Sequence, residues 1–536
     1  MKHLYSFLLS VLVCLSLSAQ NKVSGDSLAA DFHYLVKQLE AAHPDPYTGF
    51  GGKVFFHKQA FDLENELRSQ PHTLQEFWDK SMAFLSFIQD GHTYLFSLAP
   101  KQQQEQSYLP VGFRCIPDGL IVQSLPAAHQ DLLGSLLIGI NGKSMDELLA
   151  RTASLFACEN LYNRYSVFCR NVVRRQFMQQ LLPDLEDTVC FYLRTPDGKD
   201  VTLEQHFMEN EELRKAEKVN LPSWVGCPEE QMAYRFIDKK KEVMMFKVNS
   251  IMARDNFEYM YKHIKGDLLR QMEFYYQNAL KKEMPADTLQ AICALPSFSG
   301  TFAAMLKEMK KHHSEYLIID LRGNSGGWTP IVLASLYQLY GDKYLQKDMD
   351  TEYYRIVSPL YMNKLEITLE EFNRSYGTDY SFGDYTFSMK EQEDIPLDTL
   401  RRQFIDGCMS SVKEELRAQK GAPVYAPKQV FVVTDERTFS AAFHYAFMLW
   451  KMGATVVGVP SGQAPNTFME QTLFKLPYTG IEGSISNSVQ IFLPGKDKRA
   501  KTFWPDVMLT YDEYKQTGFD KQAEILFLLN KIGQEK

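Results

Sequence analysis

Three segments of the chain hold residue types whose spacing could support covalent chemistry. The first is Tyr316-Leu-Ile-Ile-Asp320-Leu-Arg322-Gly323-Asn324-Ser325-Gly326-Gly327-Trp328, an apolar strand pattern that empties into a glycine loop ahead of Pro330. Glycines where a strand turns into a helix let backbone N–H groups approach a ligand and point at developing negative charge, so this loop reads as an anion or oxyanion site. It has neither the G-x-G-x-x-G spacing of a dinucleotide loop nor a Walker lysine. The second is Val430-Phe-Val-Val-Thr434-Asp-Glu-Arg-Thr438-Phe439-Ser440-Ala441-Ala442, again a strand, a short polar loop and a helix. A serine that opens a helix has its hydroxyl beside unpaired N–H groups and the positive end of the helix dipole, which suits a nucleophile next to its oxyanion. The plain alternative is an N-cap serine. The third, Asp90-Gly91-His92-Thr93-Tyr94-Leu95, offers a histidine as general base, although an isolated histidine is more commonly structural.

Two rivals use the same residues differently. Gly323-Asn-Ser325-Gly-Gly327 satisfies G-x-S-x-G, the nucleophile elbow of an α/β-hydrolase esterase, and His444 is the only histidine after Ser325 that could complete it. His444 also lies four residues past Ser440 on one helix face and so competes with His92 as its base.

The elements that must position these groups fall into three regions. From Ala29 to Ile88 apolar residues such as Phe32, Leu35, Val36 and Leu39 recur at helical spacing, predicting a helical cap over about 20–105. Over about 106–215 the pattern is that of a small β-rich module. Val111 to Ile116 and Leu120 to Leu125 flank Pro117-Asp118-Gly119, Leu136 to Ile140 ends in Asn141-Gly142, and Val189 to Leu193 and Val201 to Leu203 flank Pro196-Asp197-Gly198. Ser144 with Glu147 forms a capping box that opens a helix. From about 230 to 530, apolar runs at Val243–Val248, Tyr316–Asp320, Val430–Thr434 and Thr455–Val459 alternate with helices, as in a mostly parallel α/β core. Charged stretches at about 252–300 and 345–425 read as helical insertions.

With 536 residues, of which 45% are hydrophobic and 23% charged, the chain exceeds a single core and is not disordered. A net charge of −8 without a sustained basic run argues against nucleic acid as a partner and favours small molecules or proteins. Residues 1–19, with Lys2, an apolar run from Leu4 to Leu17 and then Ser18 and Ala19, have the layout of a secretory leader, so a periplasmic or extracellular location is expected. Cys14 is not read as a lipid anchor, because Val13 is large where that processing wants a small residue. No later run is apolar for long enough to predict a membrane span. The seven cysteines beyond the leader are scattered and hold no C-x-x-C, so neither a disulfide scaffold nor a zinc site is signalled, and no metal or cofactor is expected.

Taken together, the segments resemble the C-terminal processing, or tail-specific, serine peptidases, on the side of the tricorn core and the interphotoreceptor retinoid-binding modules. The resemblance rests on Asp-Leu-Arg-Gly-Asn-Ser-Gly-Gly at 320–327, Thr-Phe-Ser-Ala-Ala at 438–442, Gly-Ala-Thr-Val-Val-Gly at 453–458, Trp-Pro-Asp-Val at 504–507 and Asp-Gly-His-Thr at 90–93, in family order. It implies an α/β fold with a crotonase-like (ClpP/crotonase) core, a helical cap and a PDZ-like module. It further implies hydrolysis of peptides or unfolded polypeptide ends through an acyl-enzyme, with Ser440 as nucleophile and Ala441 with Gly326 or Gly327 as oxyanion donors. No lysine lies between Lys451 and Lys475, where a Ser–Lys dyad would need one, so the resemblance points to His92 as base. The chain departs from that branch at Gly91, where the branch has a serine, and between Gly495 and Trp504, where only Asp497 stands for a glutamate. The group orienting His92 is left unassigned. A non-catalytic binding protein for a peptide or apolar ligand is the alternative of a different class.

Overall fold

The computed structural model describes residues 22–98, 107–224, 226–228, 230–263, 268–349, 351–387, 395–409 and 412–534. The leader read at 1–19, and Cys14 within it, lie outside the described residues.

At the centre is a five-stranded sheet ordered Met232–Phe236, Val243–Val248, Tyr316–Asp320, Gln429–Thr434, Thr455–Gly458. The first pair is antiparallel and the other three pairs are parallel. Side chains alternate across a strand, so one apolar run can serve two cores. Leu317, Ile319, Val430 and Val432 face the helices Phe298–His312, Pro330–Tyr340 and Ala441–Lys451, whereas Ile318, Phe431 and Val433 face the C-terminal helix Ala523–Gln534. All five residues of Tyr316–Asp320 are buried. Burial on both faces is why these runs are continuously apolar, and each buried aliphatic side chain contributes about 1.5–3 kcal/mol. The stretch Thr288–His312 has the length and apolarity of a membrane helix, yet Phe302, Leu306 and Met309 within it are fully buried in this core.

The helical cap comprises Gly25–Ala42, Lys53–Ser69 and Leu74–Ser86, with Leu28, Phe32, Leu35 and Leu39 inside. The β-rich module is a seven-stranded sheet in which Gly112–Ile116 and Gly119–Pro126 form one hairpin and Thr188–Arg194 and Asp200–His206 another. The capping box of Ser144 and Glu147 opens the helix Met145–Leu155. Lys218–Asn220, beyond the boundary read at 215, adds an edge strand against Gly119–Pro126.

The 252–300 stretch is helical and packs around Phe257, Met272 and Tyr275. The 345–425 stretch differs from its helical reading: among its described residues are four helices and also the strands Glu352–Ile356 and Tyr385–Phe387. Glu352–Ile356 pairs with Glu482–Ile491 in a second, antiparallel sheet that also holds Tyr94–Leu95 and Asn466–Lys475. The run Glu-Tyr-Tyr-Arg-Ile is half-buried and charged, so its strand state depends on a partner more than 120 residues away rather than on its own pattern.

One buried ionic network pins the end of the central strand. Arg322 grips Asp320 with two bonds (2.9 and 2.8 Å) and reaches Glu524 on the C-terminal helix (2.7 Å), which also receives Arg114 (2.7 Å) and the Tyr514 hydroxyl (2.7 Å). Burial opposes ionisation of Asp320, but Arg322 and Lys247 outweigh it and hold the carboxyl well below the ordinary range. Removing the shared carboxylate leaves the buried Arg114 guanidinium without an acidic partner and takes one of Arg322's two. Glu524→Ala is therefore expected to lower stability by about 3–5 kcal/mol, read as a shift in the chemical-denaturation midpoint.

Candidate active site

Because Tyr316–Asp320 and Gln429–Thr434 are parallel neighbours, the loops that follow them emerge side by side. They are laced together: Phe439 N–H donates to the Asn324 carbonyl (3.1 Å), the Thr438 hydroxyl to the Leu321 carbonyl (3.1 Å) and Gly323 N–H to Asp435 (2.8 Å). Asn324 stitches the glycine loop inward, its amide donating to the Val248 carbonyl (3.0 Å) and its oxygen accepting from Gly326 N–H (2.9 Å). At Gly326 φ is +108°, and a Cβ would sit 2.7 Å from the Ser440 Cβ and 2.9 Å from the Ala441 nitrogen. Only glycine permits that approach.

The oxyanion reading of this loop divides accordingly. The Gly326 N–H is already spent on Asn324, so Gly326 is a spacer and not a donor. The N–H groups of Gly327 and Ala441 have no hydrogen-bond partner among the described residues. Ala441 is the first residue of its helix, where the ladder leaves N–H groups unpaired.

Ser440 is held at φ 51°, ψ −127°, a conformation costing about 1–3 kcal/mol for a residue with a side chain. Its hydroxyl makes no helix-capping bond, unlike an ordinary N-cap serine. Its N–H donates to the Gln463 side chain, which fixes the turn. Half-buried, Ser440 lines a cavity of about 730 Å³ together with His92, Ser325, Gly327, Phe439 and Gln471.

His92 reaches that cavity from the second sheet. Its carbonyl accepts from Ser484 (2.8 Å), and Ser486 N–H donates to the neighbouring Thr93 (3.0 Å). Asp90 braces the turn from inside, accepting from His92 N–H (2.9 Å), from Thr93 and from His43 at the end of the first helix (3.3 Å). The imidazole lies 5.0 Å, centre to centre, from the Phe439 ring and donates to the Phe468 carbonyl. Its Nδ1 is buried without a hydrogen bond, 3.9 Å from both Asp90 Oδ1 and Glu159 Oε1. His92 and Ser440 thus share a cavity, and no hydrogen bond joins them. At Gly91 a Cβ would lie 2.6 Å from the Phe439 ring, which is why no larger residue stands there.

The two carboxyls near Nδ1 behave oppositely. Burial raises Asp90, but the hydrogen bond and charge of His43, with His92, prevail and hold it at about 2. Burial, then the charge of Asp90, pushes Glu159 up to about 8, against N–H bonds from Ala464 (2.9 Å) and Gly91 (3.3 Å). Burial lowers His92 itself, with Asp90 opposing, so a neutral imidazole prevails near pH 7. Glu159 was missed in the sequence, where it is a lone acid 67 residues from His92 with no motif. The only local signal is Asn160, which caps the next helix. The ligating atoms of Asp90, His92 and Glu159 lie within 4.8 Å of one another, near enough for one cation. The carboxyl oxygens are already engaged, by backbone N–H groups, His43 and Thr93.

The rival groups are held differently. His444 is buried with Nδ1 against the Thr329 hydroxyl (2.8 Å) and Nε2 against Gln490 (2.8 Å), and burial lowers it to about 4. Both its nitrogens are occupied. Ser325 is exposed on the cavity wall, without the strained backbone of Ser440 and with no histidine bonded to it. The seven described cysteines are unpaired.

Residues 290–482 match the model of peptidase family S41. No curated protein matches the chain by sequence. Among solved structures, the fold is similar to mature CPAF, with TM-score 0.56 and 13% identity over 95% of this chain and 98% of that one. It is also similar to mature CPAF complexed with lactacystin, with TM-score 0.53 and 15% identity over 94% and 97%. At such identities the likeness is one of fold, extending along nearly the whole chain. The S41 match spans the glycine loop, the Ser440 turn and the strands that deliver them, so this part of the chain is similar to the serine-type peptidases of family S41.

Proposed function

We propose that the chain is an exported peptidase that cleaves peptides or unfolded polypeptide ends through an acyl-enzyme, with Ser440 as nucleophile, His92 as general base and the N–H groups of Gly327 and Ala441 as oxyanion donors. The observation that carries this reading is the strained Ser440 turn pressed against Gly326, with an unpaired N–H on each side. Strain of this kind persists where the surroundings over-determine it, and it presents a hydroxyl to a cavity instead of to its own helix.

In this mechanism neutral His92 accepts the proton of Ser440 Oγ as that oxygen attacks the scissile carbonyl carbon. The negative oxygen of the tetrahedral intermediate turns toward Gly327 and Ala441. Collapse breaks the C–N bond, and the imidazolium returns its proton to the leaving amine. Water then repeats the sequence on the acyl ester and frees Ser440. To accept that proton the imidazole gives up the Phe468 carbonyl for Ser440 as substrate seats, and its ring hydrogen moves from the nitrogen that faced the carbonyl to Nδ1, beside Asp90 and Glu159, leaving a bare nitrogen toward Oγ. Asp90, ionised beside Nδ1, favours the imidazolium as it forms. We further propose that the central sheet is a crotonase-like core, that the 107–221 module is PDZ-like and holds extended peptide, and that residues 1–19 direct export to the periplasm or beyond.

A fluorophosphonate probe is expected to label the wild type and Ser325→Ala but not Ser440→Ala. Peptide turnover should fall by ~10⁴-fold or more in Ser440→Ala and His92→Ala. Labelling that survives in Ser440→Ala and disappears in Ser325→Ala would overturn the assignment. Because burial lowers His92, the acid limb of kcat/KM should have its midpoint below the ordinary histidine value of 6.5. Glu159 rises from 4.5 to about 8 on folding, so its contribution to stability is complete below pH 4.5 and is lost as pH climbs through 8. Denaturation midpoints across that range should flatten in Glu159→Gln.

A further inference from the structure

The cavity that holds Ser440 also holds Arg170, Arg174 and Arg437. Arg437 stands three residues before Ser440 on the same loop, and the other two come from the end of the Leu161–Asn171 helix and the turn after it. All three are exposed on the cavity side, and none forms an ion pair among the described residues. Arg170 spends its Nε on the Ser166 carbonyl (3.1 Å). Arginines elsewhere in this acidic chain are mostly paired. The neighbouring Arg175 is matched by Asp187 (2.8 Å), Arg355 by Glu470 (2.7 Å) and Arg401 by Asp342.

The groups that could neutralise the three arginines do not do so. Burial, then the charge of Asp435, raises Glu436, and it forms no ion pair with any of the three among the described residues. Asp79 accepts from Gln75 (2.9 Å), and burial raises it. Asp90 is turned toward His43 and Thr93. Like charges gathered without a counter-ion in a cleft repel one another and raise the local concentration of anions. A guanidinium also binds carboxylate through paired N–H donors.

We propose that Arg170, Arg174 and Arg437 form a specificity site for acidic side chains, so that the favoured substrates carry Asp or Glu close to the scissile bond. This rests on the Ser440 cavity being the peptidase site and names the substrate class of that site. The anionic partner is a side-chain carboxylate and not the free end of the chain, because Arg437 lies on the nucleophile loop itself, where residues flanking the cleaved bond must pass.

The test uses the full chain and acetylated, amidated peptides that differ by Glu, Gln or Lys at single positions within three residues of the cleaved bond. In the wild type, kcat/KM for the best Glu peptide should exceed that for its Gln counterpart by roughly tenfold and that for Lys by more. The Glu/Gln ratio should collapse toward one in Arg170→Ala/Arg437→Ala, fall in Arg174→Ala, and invert in favour of Lys in Arg170→Glu. A ratio measured within one variant is insensitive to a reduced folded fraction. Equal rates for Glu and Gln at every position, or a ratio untouched by the arginine variants, would overturn the proposal. So would a preference seen only when an otherwise neutral peptide has a free carboxyl terminus. If the wild type cleaves none of the peptides, the catalytic reading fails on its own. The specificity site is then judged by fluorescence anisotropy of the same peptides on Ser440→Ala, where a Glu/Gln affinity ratio of one refutes it.

Discussion

The contact between Gly326 and Ser440 is the constraint on which the rest of the structure depends. Two backbones approach so closely that a single added methyl would lie 2.7 Å from the serine Cβ. Such an approach is only available to loops leaving adjacent strands of one sheet, some ~4.8 Å apart, on the same edge. Parallel pairing of Tyr316–Asp320 with Gln429–Thr434 satisfies that condition. Parallel strands need long crossovers and cover on both faces, so the helices on one side and the C-terminal helix on the other follow from the same requirement. The Asp320–Arg322–Glu524 network then fixes the strand end against the C-terminal helix, and Asn324 and Asp435 fix the loops against each other. The strain at Ser440 is sustained by this lacing and by Gln463.

His92 is delivered by a different device. It lies more than 340 residues from Ser440 in the chain and belongs to neither central strand, so something must carry the end of the helical cap to the core. That is the antiparallel sheet, in which Tyr94–Leu95 pairs with Ser484 and Gly483 at one end of the strand Glu482–Ile491, Glu352–Ile356 takes up the other end on the same side, and Asn466–Lys475 lines the opposite side. The 345–425 insertion is therefore part of the scaffold that positions the histidine. Its charge-rich composition disguised this, because a half-buried edge region needs few apolar residues.

What could be read from the sequence follows the reach of local rules. Strands buried on both faces announce themselves as apolar runs, and those at Val243–Val248 and Tyr316–Asp320 were legible to the residue. Turn chemistry located the hairpins of the β-rich module, and the Ser144–Glu147 box located its helix. The loops carrying Ser440 and Gly326 were legible as loops for the same reason. Their internal division was not. Which of two adjacent glycines keeps a free N–H depends on where the Asn324 side chain turns, a choice that no spacing rule encodes. Glu159 and the second sheet were invisible because they are defined by contacts across 67 to several hundred residues.

Around His92 the protein separates two carboxyls that begin with nearly the same acidity. Asp90 and Glu159 are equally distant from Nδ1 and equally removed from water, so burial alone would drive both toward the neutral form. Asp90 escapes because His43 and Thr93 meet it with hydrogen-bond donors, whereas Glu159 meets two backbone N–H groups and the negative charge of Asp90. One ionised and one protonated carboxyl beside a single imidazole carry one negative charge instead of two. That single charge is enough to favour an imidazolium during turnover, while burial keeps the resting ring neutral and able to accept a proton. A second ionised carboxyl would raise the imidazole further and oppose the lowering that burial gives it, so the neutrality of Glu159 is as much a part of the base as the charge of Asp90.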